Sequence, residues 1–215
     1  MCLPETKTDT LKIAGQEFII QRITNIDRLL DKIDEHTFKD DERLPYWAEL
    51  WPSAVALSEY ILTHQDDFNQ KQILELGTGL GLCGIAATKA GADVLFSDYE
   101  QQALAMTTVN FKRNFNRIPA VSLMDWRDIP EDRSFDVIIA ADILYEHRWL
   151  EPVRHLLNKM VKPKGLALIA EPGRTVAATF FERLAGDGWR EEICEKHVTL
   201  DNQRSRIAIH RMQKC

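Results

Sequence analysis

An apolar run, Gln72-Ile73-Leu74-Glu75-Leu76, leads directly into Gly77-Thr78-Gly79-Leu80-Gly81 and then into Leu82-Cys83-Gly84. Glycines at alternate positions tolerate the left-handed backbone of a sharp turn and let a ligand approach the main chain. A helix beginning there points free N–H groups and its positive dipole end at whatever lies above the turn. The segment therefore predicts a buried strand, a ligand-cradling turn and a helix, with the ligand across the carboxyl ends of the strands.

The glycines alone leave the ligand class open. Gly79, Gly81 and Gly84 also fit the G-x-G-x-x-G spacing of dinucleotide-binding turns. Two features set this chain apart from that pattern. Glu75 stands two places before Gly77, giving E-L-G-x-G-x-G, and about 70 residues precede the strand. The next apolar run ends at Asp98, 21 residues after Gly77. A carboxylate in that place accepts hydrogen bonds from ribose hydroxyls, and it can also cap the helix starting near Glu100.

Downstream, short apolar runs alternate with helical periodicity. Strands are predicted at Gln72–Leu76, Asp93–Ser97, Ala120–Leu123, Phe135–Ala140 and Leu166–Ala170. Helices are predicted at Leu82–Ala90, Glu100–Asn114, Arg148–Met160 and Thr175–Ala185. Such alternation implies right-handed crossovers and a doubly wound, mainly parallel α/β sheet. Arg190–Thr199 and Ser205–Met212, joined by Asp201-Asn202, read as an antiparallel hairpin closing one sheet edge and bringing the strands to seven. Upstream, Leu11–Ile23 reads as a hairpin around Gly15, Thr24–Ile33 as a helix, His36–Arg43 as a charged loop, and Pro52–His64 as a helix opened by its proline. The expected organisation is one domain over 1–215, with residues 1–65 capping an α/β core at 66–215.

Composition narrows the function. With 45% hydrophobic residues in 215, the chain can bury its own core. Its 27 basic and 33 acidic residues leave a net charge of −6. The densest basic stretch is Lys112-Arg113 with Arg117, too thin to hold a phosphate backbone, so no nucleic-acid partner is expected. No apolar run approaches the ~20 residues of a membrane span. Four cysteines without CxxC spacing point to free thiols, no metal and a cytoplasmic location.

Four pieces in order then carry a resemblance: Glu75-Leu-Gly-Thr-Gly-Leu-Gly81, Asp98, Asp125-Trp126 and Asp142-Ile-Leu-Tyr145. Ahead of them stands Pro45-Tyr46-Trp47-Ala48-Glu49-Leu50-Trp51-Pro52. The series resembles the class I, seven-β-strand S-adenosylmethionine-dependent methyltransferases, and within them the family 16 protein-lysine methyltransferases. The Trp-x₃-Trp-Pro segment is similar to that of the electron-transfer-flavoprotein β-subunit lysine methyltransferases. The resemblance covers roughly residues 44 to 212. It implies a Rossmann-like methyltransferase fold with an N-terminal helical cap, and S-adenosyl-L-methionine as cofactor.

Carried over by residue, the resemblance implies that Gly77, Gly79 and Gly81, with Glu75 in the motif, line the methionine portion. It implies that Asp98 holds the ribose, that Asp125 meets the adenine amino group, that Trp126 packs on the adenine ring and that Trp51 closes the pocket. Asp142 and Tyr145 would face the methyl group and the incoming amine. Trp47 can equally pack the cap against the core. The [Asn/Asp]-Pro-Pro-[Tyr/Phe] box of amide and adenine N-methyltransferases is absent after the fourth strand. A carboxylate and a phenol in its place favour a cationic amine, either a lysine on a protein or a small molecule. An NAD-dependent oxidoreductase using the same glycines, or a non-catalytic scaffold, are the competing readings.

Overall fold

The computed structural model describes residues 5–25 and 44–215. The chain opens with an antiparallel hairpin, β1 (Thr6–Ile13) and β2 (Gln16–Ile23), turning at Ala14-Gly15. The helix expected over residues 24–33, from residue 26 onward, and the loop expected over 36–43 lie outside the described residues. A single 3-10 turn at Tyr46–Ala48 precedes α1 (Pro52–Thr63), whose proline sits in the first turn, where its missing N–H costs nothing.

The core then alternates as expected: β3 (Gln72–Leu76), α2 (Leu82–Lys89), β4 (Asp93–Asp98), α3 (Gln101–Phe115), β5 (Ala120–Leu123), β6 (Phe135–Ala141), α4 (His147–Met160), β7 (Val161–Glu171) and α5 (Thr175–Gly186). Two long strands, β8 (Trp189–Leu200) and β9 (Gln203–Lys214), complete it. The seven-stranded sheet has the order β5-β4-β3-β6-β7-β9-β8. The first five strands pair in parallel, and β9 runs antiparallel to both β7 and β8. The C-terminal hairpin does close an edge, but its second strand is the one inserted beside β7. Burial explains the choice: Ile207, Ile209 and Met212 of β9 are fully buried, whereas β8 is mostly exposed.

Alternate residues of the central strands feed two cores. Ile73, Val137, Ile139 and Leu168 face α1, α2, α3 and the N-terminal hairpin. Leu74, Leu76, Ile138, Ala167 and Ile169 face α4 and α5. Both faces of the central strands β3, β6 and β7 are covered, so they read in sequence as continuous apolar runs, whereas the edge strand β5 is largely exposed. Ile13, Phe18 and Ile20 of the hairpin lie in the same apolar cluster as α1 and α2. Polar clamps add direction: Asn110 of α3 accepts the Gln21 N–H at 2.7 Å and donates to the Gln21 carbonyl at 3.0 Å.

The chain leaves β3 toward β4 and β5, then returns to build β6 and β7 on the other side. This reversal opens a crevice above the carboxyl ends of β3, β4 and β6, where ligands of open α/β sheets bind.

Candidate active site

The glycine turn sits at that crevice. Gly77, Gly79 and Gly81 all adopt positive φ, at 59°, 51° and 82°. The tertiary structure presses on each: a Cβ on Gly77 would meet Ile143 Cγ2 at 3.1 Å, one on Gly79 the Trp47 carbonyl oxygen at 3.1 Å, and one on Gly81 Thr107 Cγ2 at 2.9 Å. Gly81 also opens α2. Thr107 of α3 donates to the Gly79 carbonyl at 2.9 Å, fixing the turn from behind.

Two buried carboxyls support the turn. Glu75 receives the Thr78 hydroxyl at 2.6 Å, and burial pushes its carboxyl up to about 8, so it is largely neutral at pH 7. Asp98 takes the Gly79 N–H on one oxygen and the Glu100 N–H on the other, each at 3.0 Å. It therefore braces the helix entry as well as the turn. Burial outweighs those bonds and raises it to about 6.

A cavity of about 450 Å³ opens over these residues. Of the positions singled out in the sequence, Trp51, Glu75, Gly77, Gly79, Asp98, Trp126, Asp142 and Tyr145 line it together, and Trp47 does too. Gly81 and Asp125 do not. Gly81 lies one step behind, at the start of α2. The Asp125 carboxylate receives Arg127, whose side chain donates at 2.6 Å and whose backbone N–H donates at 2.9 Å. The Asp128 N–H closes a turn on the Asp125 carbonyl at 3.0 Å, and Trp126 lies inside that turn. Trp126 belongs both to the apolar core and to the cavity wall. It meets Trp149 edge to face at 5.5 Å, and its buried Nε1 has no hydrogen-bond partner among the described residues.

The Trp-rich segment forms one wall. The indole N–H of Trp51 donates to the Tyr46 carbonyl at 2.9 Å, and Tyr46 meets Tyr145 edge to face at 5.4 Å. Burial raises the Tyr145 phenol further above its ordinary value, so it stays protonated. Asp142 directly follows β6 in the left-handed conformation, φ 56°, with its N–H on the Ala170 carbonyl at 2.8 Å. That conformation is costly for a non-glycine residue and concentrates at functional sites. Its side chain is only 6% exposed, and its carboxylate receives Arg174 Nε at 2.8 Å.

Arg174 was not visible as a site residue in the sequence, nor were Tyr46, Glu49 and Tyr99, which also line the cavity. A signal for Arg174 existed: Pro172-Gly173-Arg174 follows Glu171 at the end of β7, which is parallel to β6, so it had to emerge at the same edge. Nothing local marked its pairing with Asp142, 32 residues away.

With this geometry in place, the comparisons with known proteins fall into line. A family profile described as lysine methyltransferase matches residues 32–187. The chain is 32% identical over 137 residues to protein-lysine methyltransferase METTL21E of Mus musculus, covering 58% of this chain and 56% of that one. It is 34% identical over 135 residues to the electron transfer flavoprotein beta subunit lysine methyltransferase of Rattus norvegicus, covering 60% and 51%. The chain thus spans about half the length of the curated relatives it matches. Among solved structures, the magnesium protoporphyrin IX methyltransferase of Synechocystis with bound SAM is similar over 89% of this chain and 92% of that one. The TM-score is 0.60 and the identity 15%, a likeness of fold alone. The glycine turn, Asp98, the Asp142–Tyr145 segment and Arg174 all fall within the matched residues, and the chain belongs to the lysine methyltransferase family.

Proposed function

We propose that this protein is an S-adenosylmethionine-dependent N-methyltransferase acting on a lysine side chain of a protein. The observation that carries this reading is one cavity in which a glycine cradle, a carboxylate, a phenol and an acidic, aromatic wall share the same space. The residues present fit the cofactor. Its place is a turn where a Cβ on Gly77 or Gly79 would crowd a neighbour at 3.1 Å, beside a buried Trp126 indole N–H that has no hydrogen-bond partner among the described residues. The cavity volume lies within the usual range of small-molecule sites.

In this reading Gly77 and Gly79 hold the methionine portion, and Gly81 supports them from the helix start. Asp98 retains lone pairs for ribose hydroxyls beyond the two N–H groups it already accepts. Trp126 faces the adenine, and Asp125 contributes by folding the turn that presents it. When bound, S-adenosylmethionine supplies an electrophilic methyl group on a sulfonium sulfur. The protein's part is orientation, which can supply about 7–11 kcal/mol of a two-reactant barrier. Asp142 accepts an N–H of the incoming amine and aims its lone pair. Tyr145 offers a phenol and a ring edge beside it.

The cavity wall supports a cationic substrate. Its lining carries Glu49, Glu100, Asp142 and Glu146 with one guanidinium, Arg174, while Glu146 also meets Arg148 from outside the cavity. The same acidic excess repels a phosphate backbone, which supports an acceptor other than nucleic acid. Cys83, Cys194 and Cys215 are free thiols, which supports a reducing compartment such as the cytoplasm. The shared cluster of hairpin, α1 and sheet supports reading the chain as one domain.

The test is incubation with methyl-labelled S-adenosylmethionine, a protein extract and a panel of small amines. Label on protein lysine is the expected result. Label confined to small amines removes the protein from the proposal, and label on oxygen or nucleic acid overturns it. Asp142→Asn should leave cofactor affinity near wild type and cut turnover strongly.

A further inference from the structure

An amine that accepts a methyl group must first lose a proton, because its lone pair forms the new N–C bond. An unpaired carboxylate beside it opposes that loss, since an opposite charge at close range stabilises the ammonium. The cavity resolves this conflict by position. Glu49 lies on its wall, where a carboxylate can draw in a cation. At the end of β6, by contrast, the Asp142 carboxylate is already matched by Arg174 Nε at 2.8 Å.

Arg174 is itself held in place. Its backbone N–H donates to Glu171 Oε2 at 2.6 Å, beside the Gly173 N–H at 2.8 Å on the same oxygen. The other Glu171 oxygen faces His210 Nε2 at 3.4 Å. His210 stacks on Phe181 and contacts Glu191 through Nδ1 at 2.6 Å. The end of β7 and the loop after it are thus anchored from β9 and β8, with the Arg174 guanidinium on Asp142. The other titratable groups facing this space are Tyr145 and Glu146 after β6, Asp98 at the end of β4 with Tyr99 and Glu100 after it, Glu75 of β3, Cys83 of α2, and Tyr46 ahead of α1. Glu146 is engaged by Arg148 at 2.6 Å. Among the described residues that line the cavity, Arg174 is the only base.

We infer that Arg174 is a positioning and charge-compensating residue: it holds Asp142 as an oriented but neutralised acceptor, so that a captured ammonium sheds its proton to water at the reacting end of the cavity. The inference rests on the amine reading proposed above. The balance is simple. The ammonium gives one proton to solvent, the nitrogen lone pair forms the N–C bond, and the methyl donor's C–S bond breaks with its electron pair leaving on sulfur.

The probe is Nα-acetyl-lysine amide carrying ¹⁵N at the ε-amine, titrated by NMR from about pH 7 to about pH 10, below and around the free amine value. Wild type, Arg174→Gln and Arg174→Lys are compared, each saturated with S-adenosylhomocysteine. Glutamine keeps a hydrogen bond to Asp142 but not the charge, so Arg174→Gln should raise the titration point of the bound amine by about one pH unit or more. Arg174→Lys should restore it. The acid limb of label transfer into a protein extract should move upward in parallel, with the activity of Arg174→Gln recovering at high pH. Equal titration points in wild type and Arg174→Gln, or no binding of the amine to wild type, overturn the inference. Absence of label transfer by wild type alongside a shifted titration overturns the proposed activity instead.

Discussion

The backbone N–H of Gly79 donates to the Asp98 carboxylate at 3.0 Å, and the opposite oxygen of Asp98 receives the Glu100 N–H at 3.0 Å. One side chain therefore ties the glycine turn after β3 to the start of α3. Asp98→Ala should lower stability by about 1.5–3 kcal/mol, the range for hydrogen bonds to a charged group. It should also weaken S-adenosylhomocysteine binding at least tenfold, because both the turn and a ribose acceptor are lost. Asp98→Asn should lose less, since its amide oxygen still accepts one N–H. Urea denaturation and calorimetry measure the two effects separately. An unchanged midpoint with normal binding in Asp98→Ala sinks the account.

Glu75 gives the fold a pH dependence of definite sign. Burial raises its carboxyl from 4.5 to about 8, so the native state keeps a proton that the unfolded chain releases. The contribution is complete below about pH 4.5 and is lost as pH rises through about 8, with a slope of at most about 1.4 kcal/mol per pH unit. Glu75→Gln mimics the protonated form and still accepts the Thr78 hydroxyl. Stability should therefore fall less steeply between pH 5 and pH 8 in the variant than in wild type. Parallel stability profiles would show that Glu75 does not titrate there.

Gly79 carries two constraints that Gly186 does not. Its φ is 51°, and an added Cβ would lie 3.1 Å from the Trp47 carbonyl oxygen, whereas Gly186 has no atom within 4 Å of that position. Gly79→Ala should cost about 1–3 kcal/mol through its backbone conformation, and it should displace the Trp47 segment from the cavity. Gly186→Ala should be neutral or stabilising by up to about 1 kcal/mol. Thermal melting of the pair gives the comparison, and Trp fluorescence reports the displaced wall.

Asn110 joins three pieces of chain. It is fully buried, accepts the Gln21 N–H, and donates to the carbonyls of Gln21 and Leu80 at 3.0 and 2.9 Å. Asn110→Ala leaves those backbone groups without a side-chain partner and should cost about 2–3 kcal/mol. Amide exchange across residues 16–23 should rise more than exchange in β6 and β7. A uniform rise across the sheet would place the role of Asn110 in global stability instead.

Much of this site was legible because local chemistry and topology agree on it. Positive φ at a strand-to-helix turn demands glycine, so Gly77, Gly79 and Gly81 announced the turn. Parallel strands place their carboxyl ends on one edge, so Asp98, Asp142 and Tyr145 had to meet there. Asp125 was the harder position. Its spacing after β5 was clear, but Arg127, two residues on, occupies its carboxylate and leaves Trp126 to line the cavity.

By itself, the sequence determined the order of strands and helices, the α/β class and the edge at which the site forms, because apolar periodicity and turn chemistry are local properties. Only the tertiary structure decided that β9, not β8, lies against β7, since either hairpin strand can offer its edge and burial of Ile207, Ile209 and Met212 makes the choice. It alone decided that the Trp47 carbonyl covers Gly79 and that Arg174 meets Asp142. Those contacts join residues about 30 positions apart or more, and no local propensity encodes them. The charge at the end of β6 is therefore a property of two loops packed side by side, not of the Asp142–Tyr145 motif alone.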